Sequence, residues 1–218
     1  MLLDKTEAGI MEKAEQVALR NPQRSAWPFK KIVNDFFKDS HFADKKILDL
    51  GPGQYDFQEL AKTKGAKGYA IDFDPAVIEL GNYKGFEVKN ADLRRISIDT
   101  FGHRFDGIFC RGSINAFWFA QNLDQLYSYS KTIAELLNED GWAFITPWNG
   151  VSSSLNLTAA KEEEILQVQQ KAFEDQGFNL CELSEEDAKY YGIFYPNQKP
   201  TLFLKNLNTP PHILKAAE

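Results

Sequence analysis

The chain has 218 residues, 43% hydrophobic and 26% charged, which is an ordinary globular composition and excludes a disordered or membrane-spanning class. Its formal net charge of −6 would repel a phosphate backbone, so no nucleic-acid partner is expected. No apolar run approaches the roughly 20 residues that span a bilayer, and the first residues carry no apolar signal segment. We therefore expect one cytoplasmic domain over residues 1–218. The two cysteines and three scattered histidines lack ligand spacing, which predicts no metal site.

Two amphipathic helices are predicted ahead of the core, as an N-terminal helical cap over residues 1–40. Apolar residues recur at helical spacing over 10–18 and again over 29–37. Pro28 suits the first turn of the second helix, where its missing N–H costs nothing. Trp27 would then lie where the chain enters that helix.

From Lys46 onward, short apolar runs alternate with helical stretches, which is typical of βαβ units in a parallel sheet. Strands are predicted near 46–50, 67–71, 85–89, 106–110, 142–146, 178–183 and 201–206. Helices are predicted near 56–64, 75–82, 123–138 and 159–176, a short turn near 94–98, and loops over 151–158 and 184–200. The catalytic core would span 41–206 and a tail 207–218.

A glycine-rich turn follows the first strand in the segment ILDLGPG. Gly51 and Gly53 in this turn, with Asp72 at the end of the second strand, are the general arrangement that holds a nucleoside across a parallel sheet. A dinucleotide site would need a third glycine where the chain has Asp56, whose carboxylate would repel a diphosphate. Asp49 also argues against a dinucleotide, because a second acid near the turn suits a ligand bearing an ammonium and a sulfonium.

The segment ILDLGPG resembles the first motif of the class I, Rossmann-like S-adenosylmethionine-dependent methyltransferases, and the resemblance covers roughly residues 45–206. In YAIDFDP, Asp72 matches the carboxylate that accepts both ribose hydroxyls in that family. In VKNADLRRI, Asp92 matches the acid beside the adenine amino group, and Leu93 supplies backbone and apolar contact. Residues 110–113 match the strand end whose backbone meets the methionine part of the cofactor.

The resemblance implies an α/β fold with a seven-stranded Rossmann-like methyltransferase sheet, mostly parallel, with an antiparallel last strand. The chain departs from the family at Tyr55, where many members carry a glycine, so Gln54 and Tyr55 are expected to contact the ligand through their side chains. Asp74 is interpreted as a helix cap because it precedes Pro75. The complete predicted cofactor site is Asp49, Gly51, Gly53, Gln54, Tyr55, Asp72, Phe73, Asp92, Leu93, Arg111 and Gly112.

Loops that follow the parallel strands face the ligand, whereas loops that precede them lie at the opposite edge of the sheet. This difference separates residues that could bind the acceptor from residues that could not. His41 and His103 precede strands and would lie at the wrong edge, and His212 follows an antiparallel strand, so no histidine base is expected. The reacting edge instead carries an aromatic set that would outline a pocket for a small organic acceptor. The candidates are Trp27, Asn115, Trp148, Tyr190, Tyr191 and Tyr195.

Some of these residues have an alternative structural interpretation. Asn115 equally suits the start of a helix, and the aromatic residues over 117–119 more often pack a cap than touch a substrate. A base, if one is needed, would be Tyr190, Tyr191 or a loop acid such as Glu185, and the sequence does not choose among them.

The sequence therefore predicts a methyltransferase that uses S-adenosylmethionine, releases S-adenosylhomocysteine, and methylates an oxygen or nitrogen of a metabolite, sugar or natural-product intermediate by in-line transfer. The segment CRGSIN stands where amino-methylating nucleic-acid enzymes of the family usually carry an Asn/Asp-Pro-Pro-aromatic motif, which also favours a small molecule. Two alternatives stay open, an NAD(P)-dependent oxidoreductase of related fold and a non-catalytic protein that binds S-adenosylmethionine.

Overall fold

The structure is a computed structural model that describes Gly9, Glu12 and residues 27–152, 154–195 and 198–214. The first predicted helix, over 10–18, lies almost wholly outside the described residues. None of the described helices is both long enough and apolar enough to cross a bilayer.

Seven strands form a single sheet in the order β3-β2-β1-β4-β5-β7-β6. Strands β1 to β5 run parallel, whereas β7 lies antiparallel between β5 and β6. The predicted fold class, including the antiparallel last strand, is confirmed. The strands are β1 (Lys46–Leu50), β2 (Lys67–Asp72), β3 (Glu87–Asn90), β4 (Phe105–Arg111), β5 (Leu137–Thr146), β6 (Asn179–Glu182) and β7 (Thr201–Lys205).

The helices that cover the sheet are α1 (Trp27–Phe36), α2 (Asp56–Thr63), α3 (Pro75–Tyr83), α4 (Asp124–Glu135), α5 (Ala159–Glu174), α6 (Glu185–Tyr190) and α7 (Pro211–Leu214). Two predictions were wrong here. Helix α4 does not reach residue 138, because Leu137 already pairs with Phe105 in the sheet. The predicted loop over 184–200 begins with helix α6, whose first turn is capped when the hydroxyl of Ser184 accepts a hydrogen bond from the Asp187 N–H.

Apolar side chains pack on both faces of the sheet. On one face, α1 and α2 bury aromatic rings against the central strands: the ring centroids of Phe36 and Phe144 lie 5.0 Å apart, and those of Phe57 and Phe109 lie 3.7 Å apart. Each such ring contributes about 1.5–3 kcal/mol through the apolar area it removes from water. Helix α1 therefore shares the core of the sheet and is held against its face.

Candidate active site

A cavity of about 650 Å³ opens where β1, β2 and β4 end, at the edge expected for a ligand in a parallel sheet. Its volume is within the range of about 300–1,000 Å³ typical of small-molecule sites. All the predicted cofactor residues line it except Asp49, Tyr55 and Arg111. The lining residues are Gly51, Gly53, Gln54, Asp72, Phe73, Asp74, Val77, Asp92, Leu93, Arg94, Gly112, Ser113 and Trp118.

The turn after β1 has to be built from glycine. Gly51 has φ +72°, and a Cβ added there would lie 2.3 Å from the hydroxyl oxygen of Ser113. That hydroxyl donates to the carbonyl oxygen of Gly51 at 3.2 Å, so the turns after β1 and β4 are tied together. Gly53 also has a positive φ, of 60°. The turn therefore presents bare backbone to the cavity, which allows a ligand to approach closely.

Asp72 is held in a fixed orientation at the end of β2. Its Oδ1 accepts hydrogen bonds from the backbone N–H groups of Phe73, at 2.8 Å, and Asp74, at 2.9 Å. The Phe73 side chain is 71% exposed at the wall of the cavity. Asp74 caps α3 by accepting from the Ala76 N–H at 2.9 Å, which confirms its interpretation as a cap, and it lines the cavity as well.

Asp92 forms a two-pronged ion pair with Arg94, a residue that sequence reasoning did not single out. The Arg94 Nε lies 3.0 and 2.9 Å from the two carboxylate oxygens, and its Nη2 lies 2.5 Å from Oδ2. The hydrogen bonds from the Arg94 side chain hold the pKa of Asp92 below its ordinary value. Asp92 thus stays ionised, and its pairing leaves the carboxylate at the wall of the cavity with a fixed orientation.

The Tyr55 side chain does not reach the cavity, contrary to the prediction of a ligand contact. It is fully buried beneath α3, where its ring stacks on Phe86 at 5.2 Å and its hydroxyl donates to the Val77 carbonyl at 3.0 Å. Gly81 makes room for it, since a Cβ there would lie 2.1 Å from the Tyr55 hydroxyl oxygen. Burial is the main cause that raises the pKa of Tyr55. The Tyr55 side chain therefore packs in the core and not against a ligand in this cavity.

Asp49 and Arg111 are also buried and do not line the cavity. Asp49 lies inside β1, paired between Ala70 of β2 and Phe109 of β4. The Arg111 guanidinium stacks on Phe29 of α1, with 3.9 Å from Cζ to the ring centroid. At the end of β4 the structure instead brings Gly112 and Ser113 to the cavity wall.

The aromatic segment after β4 divides between the core and the cavity. Phe117 and Phe119 are buried, as the cap interpretation predicted, whereas Trp118 is 37% exposed and lines the cavity. Asn115 caps this segment: its Oδ1 accepts from the Phe117 N–H and its Nδ2 donates to the Gly150 carbonyl, each at 2.8 Å. With 4% of its surface exposed, Asn115 has the structural role left open in the sequence.

The predicted pocket tyrosines point in different directions. Tyr191 is fully buried against Phe36 and donates to the Asp35 carboxylate at 2.9 Å, and burial raises its pKa, which disfavours a role as a base. Tyr190 is 45% exposed, with the Lys31 Nζ 3.7 Å from its ring centroid. The two side chains have separate partners and do not face one pocket together.

Trp148 and Tyr195 are not among the described residues that line the cavity either. The Trp148 ring lies over Gly150, where an added Cβ would come within 2.3 Å of it. Tyr195 is half-buried, and the side chain of Trp27 lies outside the described residues. Among the described residues, the structure therefore does not bring the predicted aromatic candidates together at this cavity.

His41 and His103 precede β1 and β4, at the edge opposite the cavity, as predicted. Burial and the neighbouring charge of Lys38 lower the pKa of His41. Within the described part of the chain, no three His, Cys, Asp or Glu side chains are grouped so as to hold a metal ion.

Comparisons with known proteins agree on one family. A family model described as a methyltransferase domain matches residues 23–186. Among solved structures, a TehB-like SAM-dependent methyltransferase from Corynebacterium glutamicum is similar with a TM-score of 0.53 and 16% identity, covering 90% of this chain and 95% of that chain. No curated protein sequence matches the chain.

Two further solved structures share the fold but differ in what their names say they act on. The sugar N-methyltransferase KedS8 from Streptoalloteichus sp has a TM-score of 0.52 and 15% identity, covering 82% of this chain and 85% of that chain. The Methanococcus jannaschii fibrillarin pre-rRNA processing protein has a TM-score of 0.50 and 19% identity, covering 84% and 75%.

The family match spans most of the chain, and the cavity has the glycine turn and the two carboxylates, Asp72 and Asp92, that the motifs predicted. The family match favours methyl transfer over the two alternative hypotheses, an NAD(P)-dependent oxidoreductase and a non-catalytic binding protein. The chain belongs to the methyltransferase domain family, and the protein is a class I S-adenosylmethionine-dependent methyltransferase.

Proposed function

We propose that this enzyme transfers the methyl group of S-adenosylmethionine to an oxygen or nitrogen of a small-molecule acceptor, such as a sugar or a natural-product intermediate. The observation that carries the proposal is the cavity at the ends of β1, β2 and β4. Its described lining combines the carboxylates of Asp72, Asp74 and Asp92 with one cation, Arg94. An excess of negative charge suits a cationic nucleoside and disfavours a diphosphate.

The residues present fit the cofactor in size and chemistry. Asp72, oriented by two backbone N–H groups, would accept the ribose hydroxyls, and Asp92 with Leu93 would hold the adenine. Gly51 and Gly53 leave the backbone bare where the methionine part approaches. The cofactor supplies a methyl group that its sulfonium has already activated.

The chain itself then has to orient the acceptor and exclude water. Ser113 and Trp118 follow β4 and line the cavity, and we assign the acceptor side to them. Holding two reactants in line contributes up to about 7–11 kcal/mol to lowering the barrier. Because Tyr191 and Asn115 have structural partners, neither is assigned a role in proton transfer.

A small-molecule acceptor is supported by the net charge of −6 and by the concave shape of the site. Of the structural neighbours, KedS8 is named for a sugar and the fibrillarin for pre-rRNA, so the acceptor class has to be tested directly.

The experiment is a transfer assay with methyl-labelled S-adenosylmethionine against amino sugars, phenols and structured RNA. We expect label on a member of the small-molecule panel and none on RNA. The variant Trp118→Ala should raise the KM for that acceptor while S-adenosylhomocysteine binds as in the wild type. Label on RNA alone would contradict the proposed acceptor class.

A further inference from the structure

A second cavity, of about 580 Å³, lies between helix α5 and strands β6 and β7. The described residues of its lining are all different from those of the first cavity: Phe117 lines the second cavity, whereas the next residue, Trp118, lines the first. The lining residues are Phe117, Asn149, Gly150, Val151, Glu162, Glu163, Leu166, Gln167, Gln169, Gln170, Leu180, Glu182, Gln198, Lys199, Thr201 and Phe203.

The charges around this second cavity are mostly negative. Glu162 and Glu163 project from the first turns of α5, and Glu182 ends β6. The cation among the described lining residues, Lys199, forms an ion pair with Glu182. The two glutamates of α5 are therefore left as the net charge of the site, beside apolar side chains such as Leu166 and Phe203.

A buried amide marks the inner wall of this cavity. Gln169 is 2% exposed, and its Oε1 accepts a hydrogen bond from the Asn149 Nδ2 at 2.9 Å. Its Nε2 has no hydrogen-bond partner among the described residues. A buried donor without a partner costs about 1–3 kcal/mol, so such a group is expected to meet an acceptor when the site is in use.

The amide cannot easily turn away to find another partner. Asn149, which fixes it, is itself held by two bonds: its Oδ1 accepts from the Ala116 N–H at 3.2 Å, and its backbone N–H donates to the Gln198 Oε1 at 2.9 Å. Gln169 lines an acidic, partly apolar cavity, and its buried amide is thus kept in one place.

We propose that this cavity is a second small-molecule site, distinct from the methyl-transfer site, that binds an organic cation carrying a hydroxyl or carbonyl oxygen. Its ammonium group would lie against Glu162 and Glu163, its oxygen would accept from the Gln169 Nε2, and its apolar body would pack on Leu166 and Phe203. The proposal does not depend on the identity of the methyl acceptor.

Three probes of similar size test the chemistry, namely 2-amino-1-phenylethanol, 1-phenyl-1,2-ethanediol and mandelate, which are a cation, a neutral molecule and an anion. Binding is followed by calorimetry on the full chain saturated with S-adenosylhomocysteine, so that the cofactor cavity is filled. We expect the cation to bind at least about tenfold more tightly than the diol, equivalent to 1.4 kcal/mol, and mandelate to bind most weakly. Equal binding of the three, or no binding of the cation, would overturn the proposal.

Matched variants locate the binding. Glu162→Gln with Glu163→Gln should remove the preference for the cation over the diol, whereas Glu164→Gln with Glu174→Gln changes the net charge equally on the same helix, outside the lining, and should leave it. Gln169→Met should weaken the binding of both the amino alcohol and the diol. Loss of the preference in both double variants would refute the assigned site. Affinity for S-adenosylhomocysteine should stay at the wild-type value throughout, which separates this proposal from the proposed function.

Discussion

The two halves of the sheet differ in how far the position of a strand determines where the side chains that follow it point. In the half made of β1 to β4, the cavity is lined by residues in the turns that directly follow strands, such as Gly51, Asp72 and Gly112. In the half made of β5 to β7, Tyr190 and Tyr191 face different neighbours, because Tyr190 is the last residue of helix α6 and Tyr191 is its C-cap. A strand end fixes where a residue is, whereas helical phase and packing decide where its side chain points.

The largest effect that would sharpen this contrast is expected at Tyr55, which belongs to the glycine-rich motif but packs in the core. Tyr55→Ala should lower the free energy of unfolding by about 3–5 kcal/mol, as for other buried aromatic truncations. Tyr55→Phe loses only the hydrogen bond to Val77 and should cost about 1 kcal/mol. Denaturant unfolding measures both. If Tyr55→Phe instead weakened S-adenosylhomocysteine binding tenfold with normal stability, the residue would be a ligand contact after all.

A smaller effect distinguishes the two neighbouring tyrosines at the C-terminal end of α6. Tyr191→Phe should cost about 1 kcal/mol of stability, because the hydroxyl donates to Asp35, an exposed carboxylate that water can solvate instead. Tyr190→Phe should leave stability within about 0.5 kcal/mol, as expected for an exposed site. Thermal unfolding of the two variants side by side tests the assignment. Equal losses would show that the helix is oriented differently from the structure.

The smallest effect concerns the pairing of Asp92 with Arg94. This pairing lowers the pKa of Asp92, so the wild type keeps an ionised carboxylate at the cavity wall as the pH falls. In Arg94→Gln the pKa should return toward its ordinary value, and binding of S-adenosylhomocysteine should be lost at a higher pH than in the wild type. Affinities measured from pH 7 to pH 4, within the range where both proteins stay folded, test this. Superimposable profiles would rule out a role for Asp92 in binding.

Much of the fold, and the position of a cavity at one edge of the sheet, was predictable from the sequence. The alternation of apolar runs predicted seven strands, and the spacing from Gly51 to Asp72 and Asp92 predicted a site at one edge. The positions of Gly51, Asp72 and Asp92 depend on turns formed by neighbouring residues and on the rule that parallel strands end at the same edge of a sheet. Both can be recognised from short segments of the sequence.

The orientation of individual side chains depends on packing between distant parts of the chain, which a single sequence does not reveal. Nothing near Tyr55 indicates that Phe86 and the space above Gly81 would take its ring. Arg94 was overlooked although it lies two residues after Asp92, because an exposed arginine has many possible partners. Helix α6 had a readable signal, since Ser184 and Asp187 have the spacing of a helix start.

The central claim is that the cavity after β1, β2 and β4 binds S-adenosylmethionine through Asp72. Calorimetry with S-adenosylhomocysteine tests it most directly, on the wild type, on Asp72→Ala and on Asp99→Asn, an acid outside the cavity lining that serves as the control. We expect saturable binding to the wild type and the control, and at least about 100-fold weaker binding to Asp72→Ala, the loss expected for hydrogen bonds to a charged group. Undiminished binding to Asp72→Ala, or no binding to the wild type, would contradict the account.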